Sequence, residues 1–92
     1  MRLIHQHLLK WQARPNKRSK SWSNTINRER DNVSYYIEDT PSLRNLLQDI
    51  ILTKAYRRGR KDAMRETGTI DLPQDCPYSL EQVLDYNFLP EN

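Results

Sequence analysis

From Leu43 to Ala63 apolar residues return every three or four positions, and the run is bracketed by Thr40-Pro41 ahead of it and Gly68 behind it. Leu43, Leu46, Leu47, Ile50, Ile51, Ala55, Tyr56, Gly59 and Ala63 form a band that turns slowly around one long helix, because residues three and four apart share a helix face. Thr40 reads as an N-cap and Pro41 as the first helical residue, where a missing N–H costs nothing, and Gly68 supplies a left-handed stop. At about 1.5 Å per residue this helix spans roughly 40 Å. The rest of the chain must therefore pack along it. Gly59 inside the run costs about 1 kcal/mol relative to Ala, which points to close approach of another backbone at that position.

The remaining segments have the same periodicity. Ile4, Leu8 and Trp11, with Leu9 beside them, predict a helix over 3–13 that stops before Arg14-Pro15. A polar, basic loop follows, with Ser19 or Ser21 available to cap a second helix over about 22–37. Trp22, Ile26, Val33, Tyr36 and Ile37 form its apolar stripe, and Arg30 falls on that stripe, where it must snorkel or find partners. Pro73 and Pro77 make 69–78 extended or turning chain. Ser79 and Gln82 have capping-box spacing for a short helix from Leu80 to about Asp85, and Phe88-Leu89-Pro90 forms an apolar hook. No strand pattern, repeat or Gly-rich phosphate loop occurs. The expected fold is all-α: a small irregular helical bundle of three main helices plus a short C-terminal helix. Leu8, Trp11, Trp22, Ile26, Val33, Leu43, Leu47, Ile50, Ala55 and Phe88 are expected to contribute to its core.

With 92 residues there is room for a single domain, 1–92. Its apolar fraction of 36% and mean hydropathy of −0.96 lie below the globular norm of roughly 45–50% apolar residues. The core is therefore expected to be thin and to gain from a partner. Cys76 alone excludes an intramolecular disulfide, and no secretory pattern opens the chain, so a reducing cytoplasm is the expected setting. Ile50-Ile51-Leu52 is the longest aliphatic run, far short of a bilayer span, so no membrane role is expected. The net charge of +3 is unevenly spread: residues 1–30 hold eight Lys/Arg against Glu29, and residues 31–92 hold seven against eleven acids. Such polarity attracts polyanions, or the opposite ends of neighbouring copies.

His7-Leu8-Leu9-Lys10-Trp11-Gln12, then Pro15, Arg18-Ser19, Ser21-Trp22 and Thr25-Ile26, resemble the central block of an uncharacterised bacterial family, domain of unknown function twenty-nine. Pro41-Ser42-Leu43, Ala55-Tyr56, Glu66-Thr67-Gly68, the run Cys76 to Asp85 and Phe88-Leu89-Pro90 resemble its later blocks in register. The resemblance implies an α-helical bundle and brings no catalytic residues or cofactor. It also implies a domain shortened at its N-terminus, without the acidic helical segment that precedes the first block in the family. The link from Gly68 to Cys76 is shorter than usual, with Leu72 where an aromatic is common. The first helix, which also lacks an N-cap residue, is then expected to present an apolar face without its usual neighbour.

Candidate chemistry is sparse. His5 and His7 are about 200° apart on a helix and cannot share a metal, so no metal site is expected. His7, one turn before Trp11, is expected to stack on it or to cap a buried polar contact. Cys76 reads as a small buried hydrophobe beside Asp75. Asp62 and Glu66 lie one turn apart as paired carboxylates would, but Arg58, Lys61 and Arg65 around them account for a solvated, charge-paired face. Together with His7 they are the residues to substitute first if the chain is an enzyme such as a nuclease. Lys10, Arg14, Lys17, Arg18 and Lys20, with Trp22 at the loop border, form a candidate nucleic-acid contact set, since cations hold phosphates and an indole stacks on a base. Trp11 and Trp22 both lie on apolar stripes, which favours core packing. The leading expectation is a non-enzymatic helical interaction module, a homo-oligomer or one whose first helix is covered by a partner protein. The alternative is a small nucleic-acid-associated protein of mobile-element or toxin–antitoxin type. No cofactor is expected.

Overall fold

The structure, a computed structural model, describes residues 1–90. Helix α1, Arg2–Ala13, ends where Pro15 disfavours the helical conformation for Arg14, which is extended at φ −129° and ψ 70°. One 3₁₀ turn, Pro15–Lys17, leads to α2, Lys20–Asp39. Ser19 caps α2, its hydroxyl accepting from the Trp22 N–H at 3.2 Å. The helix extends two residues beyond the apolar stripe at each end.

The long helix is present with two modifications. Pro41–Leu43 forms a 3₁₀ turn, and the Thr40 side chain makes no cap bond. Helix α3, Arg44–Ile50, then passes through one wide π turn, Ile51–Ala55, into α4, Tyr56–Thr67. Gly68 ends the rod at φ 71°, its N–H bonded to the Met64 carbonyl at 2.9 Å. The extended strap after it is fastened to α4, because the Tyr56 hydroxyl donates to the Pro73 carbonyl at 2.5 Å and Arg60 to the Leu72 carbonyl at 3.1 Å. Helix α5, Leu80–Leu84, opens on the expected capping box between Ser79 and Gln82. The fold is all-α, with no strand among the described residues.

Helix α1 lies between α4 and α2. Arg2 meets Asp62 and Lys10 meets Glu66, so α1 and α4 run in the same sense, while Lys10 over Trp22 and the Met1 ammonium 3.7 Å from Glu29 make α2 antiparallel to α1. A Cβ at Gly59 would lie 2.6 Å from the Arg2 carbonyl oxygen and 2.7 Å from the His5 Cβ, which is the close backbone approach that its position required.

Leu8, Ile26, Val33, Leu47 and Ala55 are buried as expected; Trp11, Leu43 and Phe88 are partly buried against the core. Trp22 and Ile50 sit half-buried at its margin. Ile4, Leu9, Ile51, Tyr56, Ala63, Leu72, Tyr78, Leu80 and Val83 complete the interior. The core exceeds the single-stripe expectation because α1 is flanked on two sides. For the same reason the expected uncovered face on α1 is absent: Ile4, Leu8 and Leu9 have no exposure at all. The radius of gyration of 12.7 Å is close to the value of about 12 Å for a compact chain of this length.

Two buried polar side chains hold the elements in place. Arg30 is fully buried and donates to the carbonyls of Val83 and Phe88 at 2.7 Å and of Gln82 at 3.4 Å, and to Asn27 Oδ1 at 3.3 Å. Its charge thus rests on the negative end of α5, which resolves why an arginine occupies an apolar stripe. His5 is also fully buried, between the Tyr56 ring, edge-on at 5.2 Å, and the Tyr78 ring, stacked at 6.4 Å. His5 Nε2 lies 2.7 Å from the Ile51 carbonyl in the π turn; only an N–H bonds a carbonyl, so Nε2 carries the proton and Nδ1 is bare. Nδ1 has no hydrogen-bond partner among the described residues. Burial lowers the His5 pKa to about 4, against the bond to Ile51, which raises it.

Candidate functional site

Two grooves flank α2, one at each end. The first lies where the end of α1, the start of α2 and the end of α4 meet. Lys10, Arg14, Lys17, Trp22, Glu66 and Thr67 line about 620 Å³ there. Four of the six expected nucleic-acid contacts are brought together. Lys10 is itself buried, 2.5 Å from Glu66 and with its ammonium 4.4 Å from the centre of the Trp22 ring. Arg14 donates to the Thr67 carbonyl and so caps the end of α4. Lys17 is exposed, with no partner among the described residues. Arg18 stands apart, donating from Nε to the Trp11 carbonyl at 2.7 Å with its guanidinium 5.4 Å from that ring's centre. Lys20 is exposed on the first turn of α2.

The second groove exists because α2 has 20 residues and α1 only 12, so the end of α2 overhangs its neighbour. Met1, Glu29, Asn32, Val33, Tyr35, Tyr36 and Asp39 line about 600 Å³. Tyr35 and Tyr36 are 59% and 60% exposed, although Tyr36 falls on the apolar stripe. Tyr86, exposed just beyond α5, donates its hydroxyl to Asp31 on α2. Sequence reasoning missed this groove. Its signal was the mismatch between a helix ending near Ile37 and a first helix of only three turns.

Asp62 and Glu66 are each ion-paired across the α1–α4 seam. Asp62 is 2.6 Å from Arg2 and Glu66 is 2.5 Å from Lys10, so their partners come from α1 across the seam and not from α4's own cations. His7 Nδ1 donates to the Leu3 carbonyl one turn back at 2.9 Å, which fills the polar-capping role expected for it. Burial, chiefly, lowers its pKa. Cys76 is half-buried against the core, its thiol pushed up by burial and donating to the Tyr78 carbonyl at 3.5 Å. Among the described residues no group of three or more His, Cys, Asp or Glu is placed to hold a metal ion, and no helix is long and apolar enough to cross a membrane.

No curated protein and no solved structure matches the chain. The family described as Domain of unknown function DUF29 matches residues 1–89. That match covers the first helix, both grooves, the Arg30 clamp and the capped C-terminal helix, so the chain belongs to the DUF29 family.

Proposed function

We propose that this chain is a non-enzymatic helical interaction module of the cytoplasm that associates with itself. The observation that supports this reading is the overhang groove of α2, where Tyr35 and Tyr36 stand mostly exposed beside the part-buried Met1. A tyrosine carries 150–250 Å² of mostly apolar surface, and such residues anchor protein interfaces. Two adjacent ones at a groove rim favour a partner surface over bulk water.

One observation favours nucleic acid as a second reading: Lys10, Arg14, Lys17 and Trp22 share a groove. Its chemistry is already partly spent, since Glu66 offsets the Lys10 charge and the Lys10 ammonium covers the indole on which a base would stack. The enzyme reading has less support, because Asp62 and Glu66 are each engaged by a cation of α1.

Light scattering on the eluting protein at micromolar concentration tests the proposal. The expected mass is twice the 11.0 kDa of one chain or more; a persistent monomer overturns it. A parallel titration with single-stranded DNA at low salt separates the second reading, which requires binding that weakens linearly in log–log form as salt rises.

A further inference from the structure

The two grooves at the ends of α2 carry opposite charge. The first is lined by Lys10, Arg14 and Lys17 against the single carboxylate of Glu66. The overhang groove is lined by Glu29, paired with the Met1 ammonium at 3.7 Å, and by Asp39, with no Lys or Arg, and Asp31 and Glu38 lie on the same half of the helix. Trp22 and Tyr35, which mark the two sites, are separated by about 20 Å of helix at 1.5 Å per residue. One continuous α2 therefore prevents the grooves from meeting within a chain.

We infer that the overhang groove of one copy, with Tyr35 and Tyr36, is seated on the basic groove of a second copy. This rests on the self-association proposed above and names the surfaces that carry it. The chemistry of the two sites is matched. Arg14 uses one bond on the Thr67 carbonyl and keeps further guanidinium donors for a carboxylate or a tyrosine ring, and Lys17 is exposed to meet Asp39. The Tyr35 and Tyr36 hydroxyls have no partner among the described residues and can accept from those cations. In this pairing a two-fold axis sets α2 antiparallel to its mate, so that each basic groove meets an overhang groove. The assembly then closes as a dimer, whereas a single contact of this kind would propagate.

Charge reversal tests the pairing. Lys17→Glu, alone and with Arg14→Glu, reverses the basic groove; Asn32→Lys with Asp39→Lys reverses the other. Circular dichroism confirms folding, and the single Lys17→Glu variant, which touches no structural bond, keeps the test valid if the Arg14 double variant unfolds. Sedimentation equilibrium at low salt is expected to show association of the unaltered protein, about tenfold or more weaker association of each variant alone, and recovery in an equimolar mixture of the two reversed forms, because like charges then face unlike ones. If the unaltered protein associates while the variants match it, or if the mixture fails to recover, this pairing is overturned and self-association through another surface stands. If the unaltered protein is a monomer, both are overturned.

Discussion

Arg30 shows what a buried charge requires in so small a core. Its guanidinium reaches three carbonyls on the far side of the domain: those of Val83 and Phe88 at 2.7 Å, and more weakly that of Gln82, which also accepts from the Asp85 N–H. Removing it takes the donor from the Val83 and Phe88 oxygens, at about 1–3 kcal/mol each. Arg30→Ala is therefore expected to cost about 3 kcal/mol or more, a large part of the roughly 5–15 kcal/mol that stabilises a domain. Arg30→Met is expected to lose nearly as much, because it restores volume but no donor; urea unfolding that left Arg30→Met close to the parent stability would refute the clamp. His5 makes a different prediction. Its folded pKa of about 4 lies below the ordinary 6.5, so the unfolded chain takes up a proton first as pH falls. The His5 contribution is fully present above about pH 6.5 and is lost progressively as pH falls towards 4, reaching about 3 kcal/mol. His7, also shifted down, acts in the same direction. Thermal melts across that window should show this loss, and a smaller one in His5→Gln.

At the level of elements, the two glycines separate steric from conformational demand. Gly59 is helical, where Ala would ordinarily add about 1 kcal/mol. Its added methyl would meet the Arg2 carbonyl oxygen at 2.6 Å and the Gln6 nitrogen at 2.9 Å, both backbone atoms that yield only if α1 moves. Gly59→Ala is expected to be destabilising by about 1–3 kcal/mol despite its better helix propensity. Gly68 has open space around its Cβ position, but its φ of 71° disfavours any side chain, so Gly68→Ala is expected to cost about 1 kcal/mol. A double variant should show near-additive losses in denaturant midpoint, since one site acts through packing and the other through helix termination. The π turn belongs to the same scale. It places the Ile51 carbonyl against His5 Nε2 in the middle of a rod that side-chain periodicity alone describes as continuous.

For the whole molecule, the proposed pairing of the two grooves makes association depend on charge. Attraction between solvent-facing grooves is screened over about 8 Å at physiological ionic strength and about 3 Å at 1 M. Raising salt is therefore expected to weaken self-association, whereas an assembly driven only by Tyr35 and Tyr36 would hold or strengthen; sedimentation at two salt concentrations distinguishes them. The all-α class, the helix spans, Gly68 as a stop, the Ser79–Gln82 box and the tight approach at Gly59 were legible from residue order, because caps, stops and three-to-four spacing are local properties of the backbone. The basic cluster of Lys10, Arg14, Lys17 and Trp22 was legible as composition. Its geometry was not, since Glu66 lies 56 residues from Lys10 and reaches it only when α4 packs on α1. The overhang groove, the burial of α1 on two sides, the partners of Arg30 and the neutral state of His5 likewise came from tertiary structure. Each depends on which helix lies beside which, and side-chain periodicity fixes the face a helix buries without naming its neighbour.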